Sequence, residues 1–283
     1  PVIGIESSPF LGWDTTTFAL GDLDGDGDLD IVQGRLMESR VWLNQGGLLF
    51  QDSGQSLAIS SYLGTFPTRA IEIADMDGDG DLDIVNGAMC QVWFNNGYGK
   101  FQNSTQLLGM ALASAIESGD LDGDGDMDLV VVNPGKGVFA YKNNGKGWFD
   151  VAKAEVIGVP DPDAIELADL DLDGDLDLIG RSTNVPIWFL KNEKSSLSIF
   201  GPMNPTLSVT KNGCGVSIVD FNQDGKMDLL HSRSERSVLK GDGRGYYRAV
   251  EDMPVFQGPL VKMADIDGDG DLDFISEKIW FQP

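Results

Sequence analysis

Histidine occurs once in this 283-residue chain, as His231, and cysteine only twice, as Cys90 and Cys214. His231 closes a predicted strand and reads as a strand-end surface residue, so no general base stands out. Basic residues are scarce as well: 20 Lys+Arg stand against 45 Asp+Glu, a formal net charge of −25. A nucleic-acid backbone or an anionic membrane surface would be repelled at long range, which excludes both as partners. No apolar run approaches the roughly 18–20 residues that a membrane-spanning helix needs, so direct membrane insertion is not expected. The stretch PVIGIESSPF has neither a basic start nor a long apolar segment, and is therefore not read as a signal peptide. Acidity together with 36 glycines resembles a disordered chain, but 14 Phe, 6 Trp and 5 Tyr among dense Ile, Leu and Val argue for a folded core.

What the chain has instead is a repeat. The pattern D-x-D/N-x-D-G-x-x-D occurs six times, at 22–30, 75–83, 120–128, 169–177, 220–228 and 265–273, with starts 45 to 53 residues apart. A short alternating segment precedes the loops, as in AIEIA (70–74) and AIELA (164–168), and an apolar run such as DIV or DLL follows them. Next comes an aromatic-rich segment, such as VWLN (41–44), VWFNN (92–96) or IWFLKN (187–192). Glycine turns such as NNGYGKF (95–101) and NNGKGWF (143–149) then signal a hairpin into a further strand. Each unit thus reads as four short antiparallel strands, the signature of a propeller blade, and the fold class is all-β.

An aromatic predicted to open the fourth strand, Phe101, Phe149, Phe200 or Tyr247, lies 18 to 20 residues before the next loop. Counting back likewise from Asp22 reaches Ile3, which predicts that residues 2–7 supply the fourth strand of the blade whose other three strands are C-terminal. The expectation is a single domain over 1–283: six blades, with the ring closed by the N-terminal strand and no free sheet edge.

Carboxylates at every second position, glycine at position six and a carbonyl at position seven suit a hard cation that takes six or seven oxygens. The candidate ligands of the first loop are Asp22, Asp24, Asp26 and Asp30 with the Asp28 carbonyl. Those of the second are Asp75, Asp77, Asp79 and Asp83 with the Asp81 carbonyl, and of the third Asp120, Asp122, Asp124 and Asp128 with that of Asp126. The fourth offers Asp169, Asp171, Asp173 and Asp177 with the Asp175 carbonyl, and the sixth Asp265, Asp267, Asp269 and Asp273 with that of Asp271. The fifth, Asp220, Asn222, Asp224 and Asp228 with the Lys226 carbonyl, is the weakest, because an amide replaces a carboxylate and a lysine adds positive charge. No loop holds His or Cys, which points away from zinc and copper, and a cage supplied almost wholly by protein favours Ca2+ over Mg2+. Position eight is always Leu or Met and is expected to pin the loop to the core. Of the 45 acidic residues 28 lie in the six loops, so six divalent ions would move the formal charge from −25 to about −13.

These loops, flanking strands and N-N-G-x-G turns resemble the FG-GAP/VCBS repeat family, which includes the calcium-binding blades of integrin α-subunit propellers. The resemblance covers nearly the whole chain. It implies a β-propeller with calcium between the first and second strands of each blade, and an extracellular or cell-surface role in adhesion, glycan binding, protein binding or a larger assembly. The chain departs from integrin propellers in having six repeats rather than seven, and it keeps only Gly87-Ala88 of the Gly-Ala-Pro element.

The less regular connectors between units carry the unrepeated aromatics Phe10, Trp13, Tyr62 and Phe66, the candidate ligand face for a protein or glycan. Trp42, Trp93, Trp188 and Trp280 are expected at one repeated core position, and Asn103-Ser104-Thr105 is a glycosylation sequon. Cys90 and Cys214 fall in the second and fifth units, opposite one another in a six-blade ring, so free buried thiols are expected. The sequence therefore reads as a non-enzymatic recognition or assembly module; the rival readings are a lectin and a polysaccharide lyase or hydrolase on a propeller scaffold.

Overall fold

Alternating and wholly apolar runs on either side of each loop become strands of a simple meander. A computed structural model describes residues 14–46, 49–57, 66–109, 112–159, 162–182, 185–192, 197–199, 216–231 and 238–250, and the backbone of 262–264, 273–275 and 279–280. The first sheet is formed by Thr15–Gly21, Asp30–Arg35, Arg40–Asn44 and Phe50–Ser56, and the second by Ile71–Ala74, Asp83–Asn86, Gln91–Phe94 and Gln102–Leu107. The third comprises Ala115–Gly119, Asp128–Asn133, Gly137–Tyr141 and Glu155–Ile157. The fourth comprises Ala164–Ala168, Asp177–Ser182, Val185–Asn192 and Leu197–Ile199, and the fifth Val216–Val219, Asp228–His231, Val238–Gly241 and Tyr247–Ala249. A sixth sheet has three strands, Lys262–Ala264, Asp273–Ile275 and Ile279–Trp280. Every strand pairs antiparallel with its neighbour in sequence. Among the described residues the only helical element is a single 3-10 turn, Val151–Lys153, and no helix is long and apolar enough to cross a membrane.

Packing divides the chain into two compact units, residues 1–120 with 124–161, and residues 121–123 with 162–283. In the first unit, successive sheets meet face to face. Val32 and Val41 of the first sheet pack with Ile84 and Trp93 of the second, and Val85 and Val92 of the second pack with Leu129, Val131 and Tyr141 of the third. In the second unit Ile179 and Phe189 meet Leu229, Leu239 and Tyr247, with the Phe189 and Tyr247 rings stacked at 5.5 Å. The second strands are the innermost in burial: all six residues of Asp128–Asn133 are buried, which is why that strand reads DLVVVN without alternation. In two of the AIE segments the glutamate reaches the next sheet. Ser118 Oγ donates to Glu72 Oε1 at 2.6 Å, and in the second unit the Ile218 N–H donates to Glu166 Oε1 at 3.1 Å.

Two sequence expectations are corrected. Phe149 is buried but does not open the fourth strand of its sheet: Asp150 caps the 3-10 turn by accepting the Ala152 N–H, and the strand begins only at Glu155. Phe200, expected to open the fourth strand of the fourth sheet, lies outside the described residues. Nor do the tryptophans share one position. Trp42 and Trp93 lie two residues before Asn44 and Asn95, whereas Trp188 lies four before Asn192, opposite Gly180. Only Trp93 of the three is fully buried, and Trp42 Nε1 instead donates to Gln33 Oε1 at 3.1 Å. The side chain of Trp280, Phe10, Trp13, Tyr62, Cys214 and the strand expected at 2–7 lie outside the described residues. Cys90 is a buried free thiol, as expected, and burial pushes its pKa up to about 12.

A Cβ built on Gly180 would lie 1.9 Å from the Trp188 indole. Gly180→Ala should therefore lower stability by about 1–3 kcal/mol through overpacking, read from the urea midpoint, and an unchanged midpoint would contradict this packing.

Candidate metal centres

Position nine of each loop opens the second strand of its sheet, and there the chain buries a carboxylate. Asp30, Asp128, Asp177 and Asp228 have 0% exposure and Asp83 has 1%. Asp30, Asp83 and Asp177 each accept two kinds of backbone hydrogen bond, which is how a buried acceptor stays satisfied, and Asp128 and Asp228 share the second of them. One oxygen takes the N–H of position two, from Leu23 at 2.8 Å, Met76 at 3.0 Å and Leu170 at 3.1 Å. The other takes an N–H from the end of the third strand, from Asn44 at 2.7 Å, Asn95 at 2.7 Å, Asn143 at 2.8 Å, Asn192 at 2.9 Å and Gly241 at 2.7 Å.

That first bond draws position two inward. Leu23, Met76, Leu121, Leu170 and Phe221 are the buried anchors of the loops, whereas Leu29 and Met127 at position eight are 57% and 39% exposed. The expectation that position eight pins the loop holds only in part: Leu29 and Met127 are exposed, whereas Leu82 and Met227 are partly buried and pack against hydrophobic cores.

Position one orients the rest of the loop. Asp22 accepts the N–H groups of Gly25, Asp26 and Gly27, and Asp75, Asp120, Asp169 and Asp220 repeat the arrangement. Position five accepts the N–H of position seven in all five described loops, from Asp28 to Asp26 and likewise to Asp79, Asp124, Asp173 and Asp224. Position six has φ between 80° and 95° in these loops, with nothing within 4 Å of a Cβ built at Gly27, Gly80, Gly125, Gly174 or Gly225, so backbone conformation rather than space requires glycine.

Carboxylate oxygens of positions one, three and nine come together: Asp22, Asp24 and Asp30; Asp75, Asp77 and Asp83; Asp120, Asp122 and Asp128; Asp169, Asp171 and Asp177, in each case within 4.8 Å of one another. Position three supplies the telling atom. Oδ1 of Asp24, Asp77 and Asp171 is buried and accepts no hydrogen bond, an arrangement costly to an oxygen anion unless a cation lies against it. Hard oxygen donors on a loop of this geometry fit Ca2+, with positions one, three and nine as side-chain ligands. When bound, the ion would offset two of the three converging negative charges and join the loop to the second strand. The fifth loop differs: Asn222 Nδ2 donates to Asp228 Oδ2 at 2.9 Å, and Lys240 Nζ lies 2.8 Å from Asp224 Oδ2. Of the sixth loop, Asp265, Asp267, Asp269 and Asp271 lie outside the described residues, and Asp273 begins a strand.

The first asparagine of N-N-G is a site residue that the sequence reading treated only as part of a turn. Asn95 Nδ2 donates to the Leu82 carbonyl of its own loop at 2.9 Å and to the Leu23 carbonyl of the preceding loop at 2.8 Å. Asn143 does the same to Met127 at 2.9 Å and Met76 at 2.7 Å, and in the second unit Asn192 donates to Leu121 at 2.7 Å. Its recurrence 12 or 15 residues after the last loop aspartate is the signal that could have revealed it. The turn glycines also face the loops: a Cβ on Gly97 or Gly145 would lie 2.7 Å from Asp81 or Asp126 Oδ2. Of the remaining candidates, Phe66 is half-buried and His231 ends a strand. The Asn103 side chain is engaged with Gln91 and with the Thr105 N–H. Asp242 caps the hairpin turn of the fifth sheet by accepting the Arg244 and Tyr246 N–H groups.

Burial, and next to it the neighbouring loop carboxylates, raises the pKa values of Asp24 and Asp77. Burial also raises Asp30 and Asp228, and brings Asp83 to about 7 and Asp177 to about 6. These folded values exceed the unfolded ones, so the metal-free fold binds protons more tightly than the unfolded chain. Their stabilising contribution is complete below about pH 4 and is lost as pH rises through about 6–7. The melting temperature in EDTA should therefore fall between about pH 5 and about pH 8. With calcium present the trend should invert, because the ion needs the deprotonated carboxylates; a metal-free melting temperature that rises across this window would contradict the assignment. Asn143→Ala, which strips two buried carbonyls of their donor, should lower stability by about 2–4 kcal/mol in urea unfolding.

The FG-GAP-like repeat pattern matches residues 22–86, 120–180 and 169–231. No curated protein is significantly similar to the chain in sequence. Among solved structures, an Agrocybe aegerita lectin described as recognising non-reducing terminal N-acetylglucosamine superposes with a TM-score of 0.64 at 23% identity, covering 93% of this chain and 75% of that one. A structure of BBS1N in complex with ARL6DN superposes with a TM-score of 0.57 at 12% identity, covering 94% of this chain and 81% of that one. The likeness is one of fold: antiparallel four-stranded sheets repeated in β-propeller-like fashion. With the repeat pattern matched over more than half its length, and with the same loop built five times over in the described residues, the chain belongs to the FG-GAP-like repeat family.

Proposed function

We propose that the protein is a calcium-stabilised β-propeller of six blades in one domain, acting outside the cell as a non-enzymatic recognition or assembly module. The observation that carries the calcium reading is the buried, unbonded Oδ1 of Asp24, Asp77 and Asp171 within converging carboxylates. A cation bound by the folded loops and not by the unfolded chain contributes its binding energy to folding, about 2.7 kcal/mol for each site at a hundredfold excess over Kd. Five similar four-stranded sheets and a sixth of three strands support the six-blade reading, with residues 2–7 completing the last blade beside Ile279–Trp280. The loop acids that a hydrolase could have used are committed to the cation sites, and His231 has no partner role in this reading.

The ligand is a protein or a glycan. Likeness to a lectin that recognises terminal N-acetylglucosamine favours a glycan, displayed on a larger surface or assembly. Melting followed with and without EDTA tests the calcium reading: chelation should lower the transition by ten degrees or more in order of magnitude, about 4–8 °C being expected per kcal/mol in a small domain and less in a larger one. An unchanged melt would rule calcium out as a structural ion. A glycan array that includes terminal N-acetylglucosamine tests the ligand. Binding lost in Trp13→Ala with Tyr62→Ala would place the glycan on the connector face, and binding unaffected by both would remove that face.

A further inference from the structure

The N–H that reaches the position-nine aspartate aligns five sheets on Asn44, Asn95, Asn143, Asn192 and Gly241. The residue just before it is Leu43, Phe94, Lys142, Lys191 and Lys240 in turn. In the first two sheets that side chain is apolar and packs against a hydrophobic core. In the fourth, Lys191 Nζ lies 2.6 Å from Asp171 Oδ2 and 2.8 Å from Asp173 Oδ2, at positions three and five of the loop. In the fifth, Lys240 Nζ lies 2.8 Å from Asp224 Oδ2 at position five, while the amide of Asn222 donates into the loop at position three.

We propose that Lys191 and Lys240 are tethered cations: the fifth loop keeps its shape without metal, and the fourth binds a divalent ion more weakly than the first two. This rests on the divalent-cation reading of the loops. An ammonium carried on the adjoining strand is always present at high effective concentration, unlike a free ion. At the fourth loop it engages Oδ2 of Asp171, a residue that clusters with Asp169 and Asp177 and whose Oδ1 is buried and unbonded. A divalent ion binding there must share these carboxylates with a positive charge a few ångströms away. Like charges at about 4 Å repel by several kcal/mol at an effective dielectric constant near 20. Solvent softens this, since the Lys191 side chain is 25% exposed, but Asp171 at 13% is well shielded. At the fifth loop the three acids Asp220, Asp224 and Asp228 are offset by two lysines, Lys226 and Lys240, so a metal would meet a much reduced negative charge and one carboxylate ligand fewer.

Hydrogen exchange by mass spectrometry resolves the loops separately in the full chain, because each loop holds its amides on its own aspartates. Calcium titration should slow exchange in 22–30 and 75–83 at a common midpoint, slow 169–177 only at a midpoint at least about tenfold higher, and leave 220–228 unchanged. Lys191→Met should bring the fourth-loop midpoint to that of the first two. Lys240→Met should speed exchange in 220–228 about tenfold, whether or not calcium is present. A shared midpoint for all these loops in the unaltered protein, or a fourth-loop midpoint unmoved in folded Lys191→Met, overturns the proposal and leaves the calcium reading standing. No response to calcium in any loop overturns both. Because the unaltered protein already separates these outcomes, the test does not depend on either variant folding.

Discussion

A carboxylate taken out of water at the entry to the second strand, in all five sheets whose side chains are described, is the constraint around which the repeat is organised. Such a group survives only if its oxygens are saturated with donors, and the chain meets that demand with backbone from two directions. Asp83 holds Met76 on one side and Asn95 on the other, so the loop before the strand and the hairpin after it are set by one side chain. Replacing that residue would unfasten more than an ion: the inward turn of position two, the register of the third strand and the asparagine that follows all hang on it. The raised pKa values of Asp83 and Asp177 are the mark of the same burial.

The parts of this arrangement that depend on spacing were readable from residues alone. Loop positions, strand order and four strands to a unit, as seen in five sheets, follow from a pattern repeated six times, since repetition averages away the ambiguity of any one short strand. What depends on hydrogen-bond direction was not readable. Leu23 and Leu29 are the same residue type six positions apart in one loop, and only the Asp30 bond to the Leu23 N–H decides which is buried. Trp188 shows a second limit, because the fourth sheet's longer third strand, Val185–Asn192, shifts the aromatic two residues from its counterparts while the local sequence IWF still resembles VWF. Phe149 shows a third: a cap by Asp150 inserts a turn that spacing statistics cannot see.

Charge is graded along the repeats rather than uniform. At the strand position where the first two sheets carry Leu43 and Phe94, packed against hydrophobic cores, the fourth carries Lys191 and the fifth Lys240, each paired with loop acids, and Lys226 lies within the fifth loop. Apolar neighbours strengthen the field of the loop acids by keeping water away, and lysines cancel it. Loops alike by motif therefore differ in how strongly they attract a cation, and Asp224, held below the usual carboxylate range chiefly by its hydrogen bond to Lys240, is the opposite of the raised Asp77.

The asparagine bridge gives the array a direction. Asn95 holds the carbonyl of Leu23 and Asn143 that of Met76, so each of these loops receives its last donor from the sheet synthesised after it. On a ribosome, the first loop would emerge with its acids assembled but its outer carbonyl still bare, and would be completed only when the second hairpin folded back onto it. Duplication of such a unit is self-fitting, because each new copy brings both the donor its predecessor lacks and the acceptor its successor will use.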